Sequence, residues 1–264
     1  MFKIALDAGH GMNTPGKRCL KSIDKNETRE WFLNNRICKY IEQKLASYDG
    51  FMLMRMDDTT GVTDVPLVTR TNKANQWGAD FYLSVHANAG VNGGSGGGIV
   101  SIVYTKASET SNKYSKILYD EMIKTTGLKG NRSTPLAKQN LHVCRETNMP
   151  AVLVECGFMD SITDVPIIIT DKFANDIAEG MVNALVKIGN LKIKNKTENN
   201  EDLPITQKEE IPELTTANDI VWELGHRGLV TDTQGMLKEM NENPNGRLYW
   251  LARKMLNYIR QKGI

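Results

Sequence analysis

Phe81-Tyr82-Leu83-Ser84-Val85-His86-Ala87-Asn88-Ala89-Gly90 is an apolar run that ends on a histidine and a small-residue turn. Phe2-Lys3-Ile4-Ala5-Leu6-Asp7-Ala8-Gly9-His10-Gly11 has the same layout near the N-terminus. Each reads as a buried strand that stops at a polar, glycine-rich turn. In an α/β domain, ligands and chemistry gather at the strand ends on one side of the sheet. Two imidazoles delivered there, with acidic residues nearby, point to a metal site, because neutral imidazole together with carboxylate suits zinc.

The segments around these strands alternate in period. Glu30 to Leu45 has helical spacing, with Phe32, Leu33, Ile37, Tyr40, Ile41 and Leu45 on one side. Phe51 to Arg55 reads as a short strand, and Thr69 to Trp77 as a helix that hands over to the second histidine strand. Gly93 to Gly98 is a glycine-rich turn, read as a flexible loop beside the site, and Ile99 to Tyr104 a strand. Ser108 to Thr125 is an amphipathic helix, Ala151 to Glu155 an apolar run ending in an acid, and Lys172 to Ile188 the last helix of the domain. This alternation predicts an α/β fold: a mostly parallel twisted sheet flanked by helices, over residues 1–189.

At Asn190 the composition shifts. Residues 190–215 are rich in Lys, Asn, Glu, Thr and Pro and read as a polar linker. Helical signals resume at Thr216. Asp219, Thr231 and Gln234 supply capping residues, and Pro244-Asn245-Gly246 a turn. Residues 216–264 therefore read as a small all-helical C-terminal module of three helices. Its apolar seams would support a homodimer. Its Trp222, Tyr249 and Trp250 read as core residues, with sugar stacking as the functional alternative.

The chain has 264 residues and a formal net charge of +2, which makes no case for nucleic-acid binding. No apolar run is long enough to span a bilayer, so no membrane partner is expected. Met1 leads directly into a strand bearing a candidate ligand, which leaves no room for a cleaved secretory leader. The expectation is synthesis and folding in the cytoplasm. Cys19, Cys38, Cys144 and Cys156 lack a C-x-x-C or zinc-ribbon spacing and read as separate reduced thiols.

Zinc at a hydrolytic site needs three protein ligands and an open position. His10 and His86 supply two, and a carboxylate should supply the third. Asp24, Glu27, Glu30, Asp57, Asp58, Asp64 and Asp80 all lie between them in sequence. Glu30 opens a helix directly after the loop that leaves His10 and is preferred; Glu27, one turn earlier, is its rival. A hydrolase also needs a proton shuttle. Glu155 closes a buried strand, where an acid is expensive unless it is used or paired, and partial burial would raise its pKa.

His10 within Leu6-Asp7-Ala8-Gly9-His10-Gly11, Glu30 with Asn34 one turn on, His86 within Ser84-Val85-His86-Ala87-Asn88-Ala89, and Glu155 within Pro150-Ala151-Val152-Leu153-Val154-Glu155-Cys156-Gly157-Phe158 stand in a telling order. That order resembles the zinc-dependent N-acetylmuramoyl-L-alanine amidases of type 3. Arg70 to Asn75 and Leu141 to Thr147 extend the resemblance, which covers residues 1–189. It implies hydrolysis of the amide between N-acetylmuramic acid and the first alanine of the peptidoglycan stem peptide. It also implies Zn2+ as cofactor, His10, Glu30 and His86 as metal ligands, and Glu155 as catalytic residue. Ala8 stands where the family usually has Pro, and Met12 where it has a second Gly; neither change touches a ligand.

Taken singly, a histidine in a core strand is most often a hydrogen-bonded structural residue, and His142 and His226 keep that reading. His142 lies two residues before Cys144, so on a strand both would face one way as a Cys/His pair, without a third orienting group. Asn88 is a candidate for the glycan or a turn-former. Arg145 is a candidate for a substrate carboxylate or a surface ion pair. The layout of catalytic domain, linker and small module, with no leader, matches an endolysin released from a phage-infected cell. A host autolytic or mother-cell lytic amidase is the close alternative. A non-catalytic wall-binding protein and a zinc peptidase of the stem peptide are alternatives of other classes.

Overall fold

A computed structural model describes residues 1–194 of the chain. The elements in chain order are β1 (Phe2–Ala8), α1 (Glu30–Leu45), β2 (Tyr48–Asp49), β3 (Phe51–Arg55), α2 (Leu67–Trp77), β4 (Phe81–Asn88) and β5 (Ile99–Tyr104). They continue with α3 (Glu109–Thr126), β6 (Leu136–Gln139), α4 (His142–Arg145), β7 (Ala151–Phe158), α5 (Val165–Ile168), α6 (Asp171–Gly189) and β8 (Lys192–Ile193). Six strands form one sheet in the order β3-β1-β4-β7-β5-β6. Every neighbouring pair is parallel except β5 with β7. This is the mostly parallel sheet with flanking helices that the alternation of periods predicts.

The two histidine strands are adjacent. Ile4 to Ala8 of β1 pair in register with Phe81 to Val85 of β4, and β4 pairs on its other side with β7, placing His86 opposite Glu155. Both faces of these central strands are covered, which is why they read as continuous apolar runs. Ala5, Tyr82, Ala151 and Leu153 pack with Ala74 of α2 and Val143 of α4 in one core cluster. By alternation, Ile4, Leu6, Leu83, Val85, Val152 and Val154 point to the opposite side, and all are fully buried.

Helix limits follow local chemistry. Ser108 caps α3 by accepting from the Ser111 amide, and Thr170 caps α6 by accepting from the Phe173 amide. Helix α2 starts at Leu67, directly after Pro66, two residues earlier than its periodicity suggested.

Several expectations are corrected. His142 and Cys144 lie on a short helix, not a strand, so they do not face one way. Strand β6 was not anticipated: it lies at a sheet edge, and Leu136 is exposed, so no hydrophobic alternation marks it. The polar stretch does not begin at residue 190. Asn190 caps α6 in the left-handed conformation, Leu191 is buried, and Lys192 and Ile193 pair with β2. The described residues belong to one compact unit. The rest of the linker and the three-helix module, with Trp222, His226, Tyr249 and Trp250, lie outside the described residues. Among the described residues, no helix is long and apolar enough to cross a membrane. All four cysteines are free and buried.

Candidate functional site

His10 follows the end of β1, His86 lies near the end of β4, and Glu30 is the first residue of α1. The amide of Glu30 donates to the Lys17 carbonyl at 3.0 Å, so the loop leaving His10 returns the helix start to the strand ends. Glu30 Oε1 lies 3.0 Å from His86 Nδ1 and 3.4 Å from His10 Nε2. It also accepts from the Ala87 amide at 3.2 Å. The two imidazole rings stand edge to face, with centroids 4.9 Å apart. One ligand atom from each of the three residues lies within 4.8 Å of the others, and among the described residues this is the cluster of its kind.

The donor set fits a divalent cation. Two imidazoles and one carboxylate suit zinc. Glu30 Oε2 is buried without a hydrogen-bond partner, a state that costs free energy unless a cation or donor approaches. Lys17 Nζ comes within 3.7 Å of it. Burial disfavours the Glu30 charge, but hydrogen bonds from His10 and His86 prevail and hold its carboxyl well below the usual range. For His86, burial opposes protonation, and the hydrogen bond and charge of Glu30 overcome it and raise the pKa. Glu30 is thus held as a carboxylate, the form that ligates a metal.

Glu155 is beside His86 in the register of β7 and β4. Burial pushes its carboxyl up to about 7, against the opposing charge of His86. Its Oε2 is buried without a hydrogen-bond partner. A carboxyl that titrates near neutrality beside a cation-ready cluster is suited to moving a proton.

The other acids read as ligand candidates are engaged elsewhere. Glu27 pairs with Arg18 and Lys21 at 3.3 and 3.5 Å. Asp57 is bound to Arg55, Asp64 to Arg70 and Thr14, and Asp80 to the Lys3 amide. Asp24 and Asp58 accept from amides of their own turns. Asn88 Oδ1 accepts from the Ala89 amide at 2.8 Å, a turn-shaping contact. Arg145 sits on α4, its Nε donating to Glu146 Oε1 and its Nη1 to Asn140 Oδ1. The Cys/His pairing is not formed. Burial pushes the Cys144 thiol up to about 12, and His142 Nε2 faces Thr71 Oγ1 at 3.3 Å.

Sequence reasoning missed two acids that hold the loop beside the site, Asp160 and Asp164. Gly93 to Gly98 belongs to a loop that is pinned, not free. Asp160 Oδ2 accepts from the amides of Gly90, Val91 and Asn92 at 2.8, 2.9 and 2.7 Å. Asp164 Oδ2 accepts from the amides of Gly98 and Phe158 at 2.7 and 3.0 Å. A signal existed: both acids follow the Phe158 strand end by less than two helical turns, where polar residues have no core to fill. Asn34, one turn after Glu30, donates to the Gly9 carbonyl at 3.2 Å.

The His/Glu/His cluster and the adjacent buried glutamate, at strand ends of an α/β sheet, form a candidate metal-hydrolase site. The chain belongs to the N-acetylmuramoyl-L-alanine amidase family, whose profile matches residues 4–187. It is 35% identical over 193 residues to the sporulation-specific N-acetylmuramoyl-L-alanine amidase of Bacillus subtilis (strain 168), covering 73% of this chain and 70% of that one. It is 33% identical over 210 residues to the endolysin of Bacillus phage SPP1, covering 78% of this chain and 73% of that one. Among solved structures, the N-acetylmuramoyl-L-alanine amidase from Clostridium difficile 630 superposes with a TM-score of 0.63 at 28% identity, over 70% of this chain and 95% of that one.

Proposed function

We propose that this chain hydrolyses the amide between N-acetylmuramic acid and L-alanine in peptidoglycan, with Zn2+ held by His10, Glu30 and His86. The observation that carries the reading is the convergence of these three side chains around one point, beside a glutamate whose carboxyl titrates near 7. Zinc at such a site supplies Lewis acidity toward a carbonyl oxygen and lowers the pKa of water to about 7. Glu155 then does the proton work. Its unprotonated carboxylate takes a proton from the attacking water and delivers it to the alanine nitrogen as the C–N bond breaks. His86 and Glu30 hold each other's ring and carboxylate in place through the 3.0 Å contact. Asn88 and Arg145 remain candidates for glycan and peptide contacts.

The decisive experiment is mass spectrometry of muropeptides after digestion of purified walls. This reading expects intact stem peptides with a free N-terminal alanine, an uncut glycan, loss of activity with chelator and recovery with zinc. Cleavage within the stem peptide would replace the amidase with a peptidase. An unchanged wall would favour a binding protein.

The match to the SPP1 endolysin extends over the longer stretch, 210 against 193 residues, and supports use as a phage lysis enzyme that is made in the cytoplasm and acts on the wall after release. Similarity to a sporulation amidase favours a mother-cell role as the second reading. Lysis of vegetative walls by purified protein supports the first, and activity confined to sporulating-cell walls the second. Residues 216–264 complete the proposal as a wall-binding module that also supports a homodimer, checked by light scattering with and without them.

A further inference from the structure

Behind the cluster lies a buried ion pair that the proposed chemistry does not use. Arg70 of α2 and Asp7 of β1 meet at 2.6 Å, and each is 1% exposed. The Arg70 guanidinium spends its donors on five separate acceptors. Nε donates to the Val65 carbonyl at 2.8 Å; Nη1 donates to Asp7 Oδ1 and to the Ala8 carbonyl at 2.8 Å; Nη2 donates to the His10 carbonyl and to Asp64 Oδ1, each at 3.0 Å. Two of those acceptors are the peptide carbonyls that bracket Gly9. The carbonyl of Gly9 itself is held by Asn34, from the helix that carries Glu30.

His10 has φ of +67°. A residue with a Cβ adopts this left-handed state at a cost and keeps it only where its surroundings over-determine it. The fork of Arg70 supplies that constraint on the strand side. Asp7 extends it to the neighbouring strand by accepting from Ser84 Oγ at 2.8 Å, two residues before His86.

We propose that Arg70, fixed by Asp7, is the positioning residue that sets the backbone of His10 and thereby the affinity of the cluster for its metal. The inference rests on the metal-site reading above. Lysine cannot replace arginine in this role. Its ammonium is a single point with three donors, whereas the planar guanidinium reaches carboxylate and carbonyls on two edges. Partners that orient metal ligands from outside the coordination sphere typically matter by about 10- to 100-fold in metal affinity.

The test is titration of the metal-free full chain with Co2+ and Zn2+ under chelator competition, with the visible Co2+ absorption band as a readout of ligand geometry. Arg70→Lys is expected to fold, to bind both metals about 10-fold or more weakly, and to shift the Co2+ band. Reduced thermal stability with metal affinity and band unchanged would make Arg70 a purely structural residue and overturn the inference. If Arg70→Lys does not fold, Asp64→Asn decides. It loosens the same fork from its exposed side, and a several-fold loss of affinity supports the inference while no change overturns it. A parent chain that binds neither metal would instead refute the metal-site reading itself.

Discussion

Gly9 lies directly against the imidazole of His86: a Cβ built on Gly9 would stand 2.1 Å from His86 Cε1 and 2.3 Å from Nε2. No side chain fits there. The close approach lets the end of β1 support the ring presented by β4, so two ligands from different strands are set by one contact. Gly9→Ala should therefore push the ring away from Glu30. The expected result is a folded chain with zinc affinity reduced about 10-fold or more, read by metal content after dialysis against a weak chelator. Retention of parental zinc content would contradict it.

Glu155→Gln keeps the size of the side chain and removes its ability to hold and release a proton. It should bind zinc as the parent does and lose about 10²- to 10⁴-fold in the rate of wall hydrolysis, the usual contribution of a positioned acid–base group. A turbidity assay on purified walls checks the rate, and metal analysis checks the site.

The same substitution tests the buried carboxyl thermodynamically. The folded chain raises Glu155 from 4.5 to about 7, so the fold favours its protonated form. Below pH 4.5 both folded and unfolded chains hold the proton and the difference vanishes. As pH rises toward 7 the unfolded chain releases it first, the native state binds more protons, and stability falls. Above pH 7 the penalty is complete, about 3 kcal/mol from the shift alone. In metal-free protein, Glu155→Gln should thus gain stability over the parent as pH rises from 4 to 8. Parallel denaturation curves across that range would mean that Glu155 is not desolvated.

Asp160 holds three successive amides of the loop after β4 on one carboxylate oxygen. Asp160→Ala removes that acceptor. The expectation is a loss of about 2 kcal/mol, typical of hydrogen bonds to a charged group, with faster amide exchange at Gly90, Val91 and Asn92. Unchanged exchange there would show that the turn holds itself.

Removal of residues 216–264 should leave a folded enzyme with full activity on soluble muropeptides and weaker sedimentation with whole walls. Loss of the fold would refute the division of the chain proposed here.

The amino-acid sequence by itself determined the α/β class, the central strands, the long helices and the two histidines at strand ends. Burial on both faces writes itself into a chain as continuous apolar runs, and a helix packed on a sheet writes itself as a 3.6-residue period, so these features are local. The identity of the carboxylate was not local. Glu27 and Glu30 are three residues apart in the same mixed-charge stretch, and only the return of the loop through the Lys17 carbonyl turns Glu30 toward the histidines while Glu27 meets Arg18 and Lys21. Tertiary structure alone also decided the residues around the site. Arg70 is 60 positions from the His10 carbonyl it holds, and Asp160 is 68 to 70 from the amides it accepts. Hydrogen bonds to peptide groups leave no hydrophobic period behind, so periodicity does not mark which partners folding brings together.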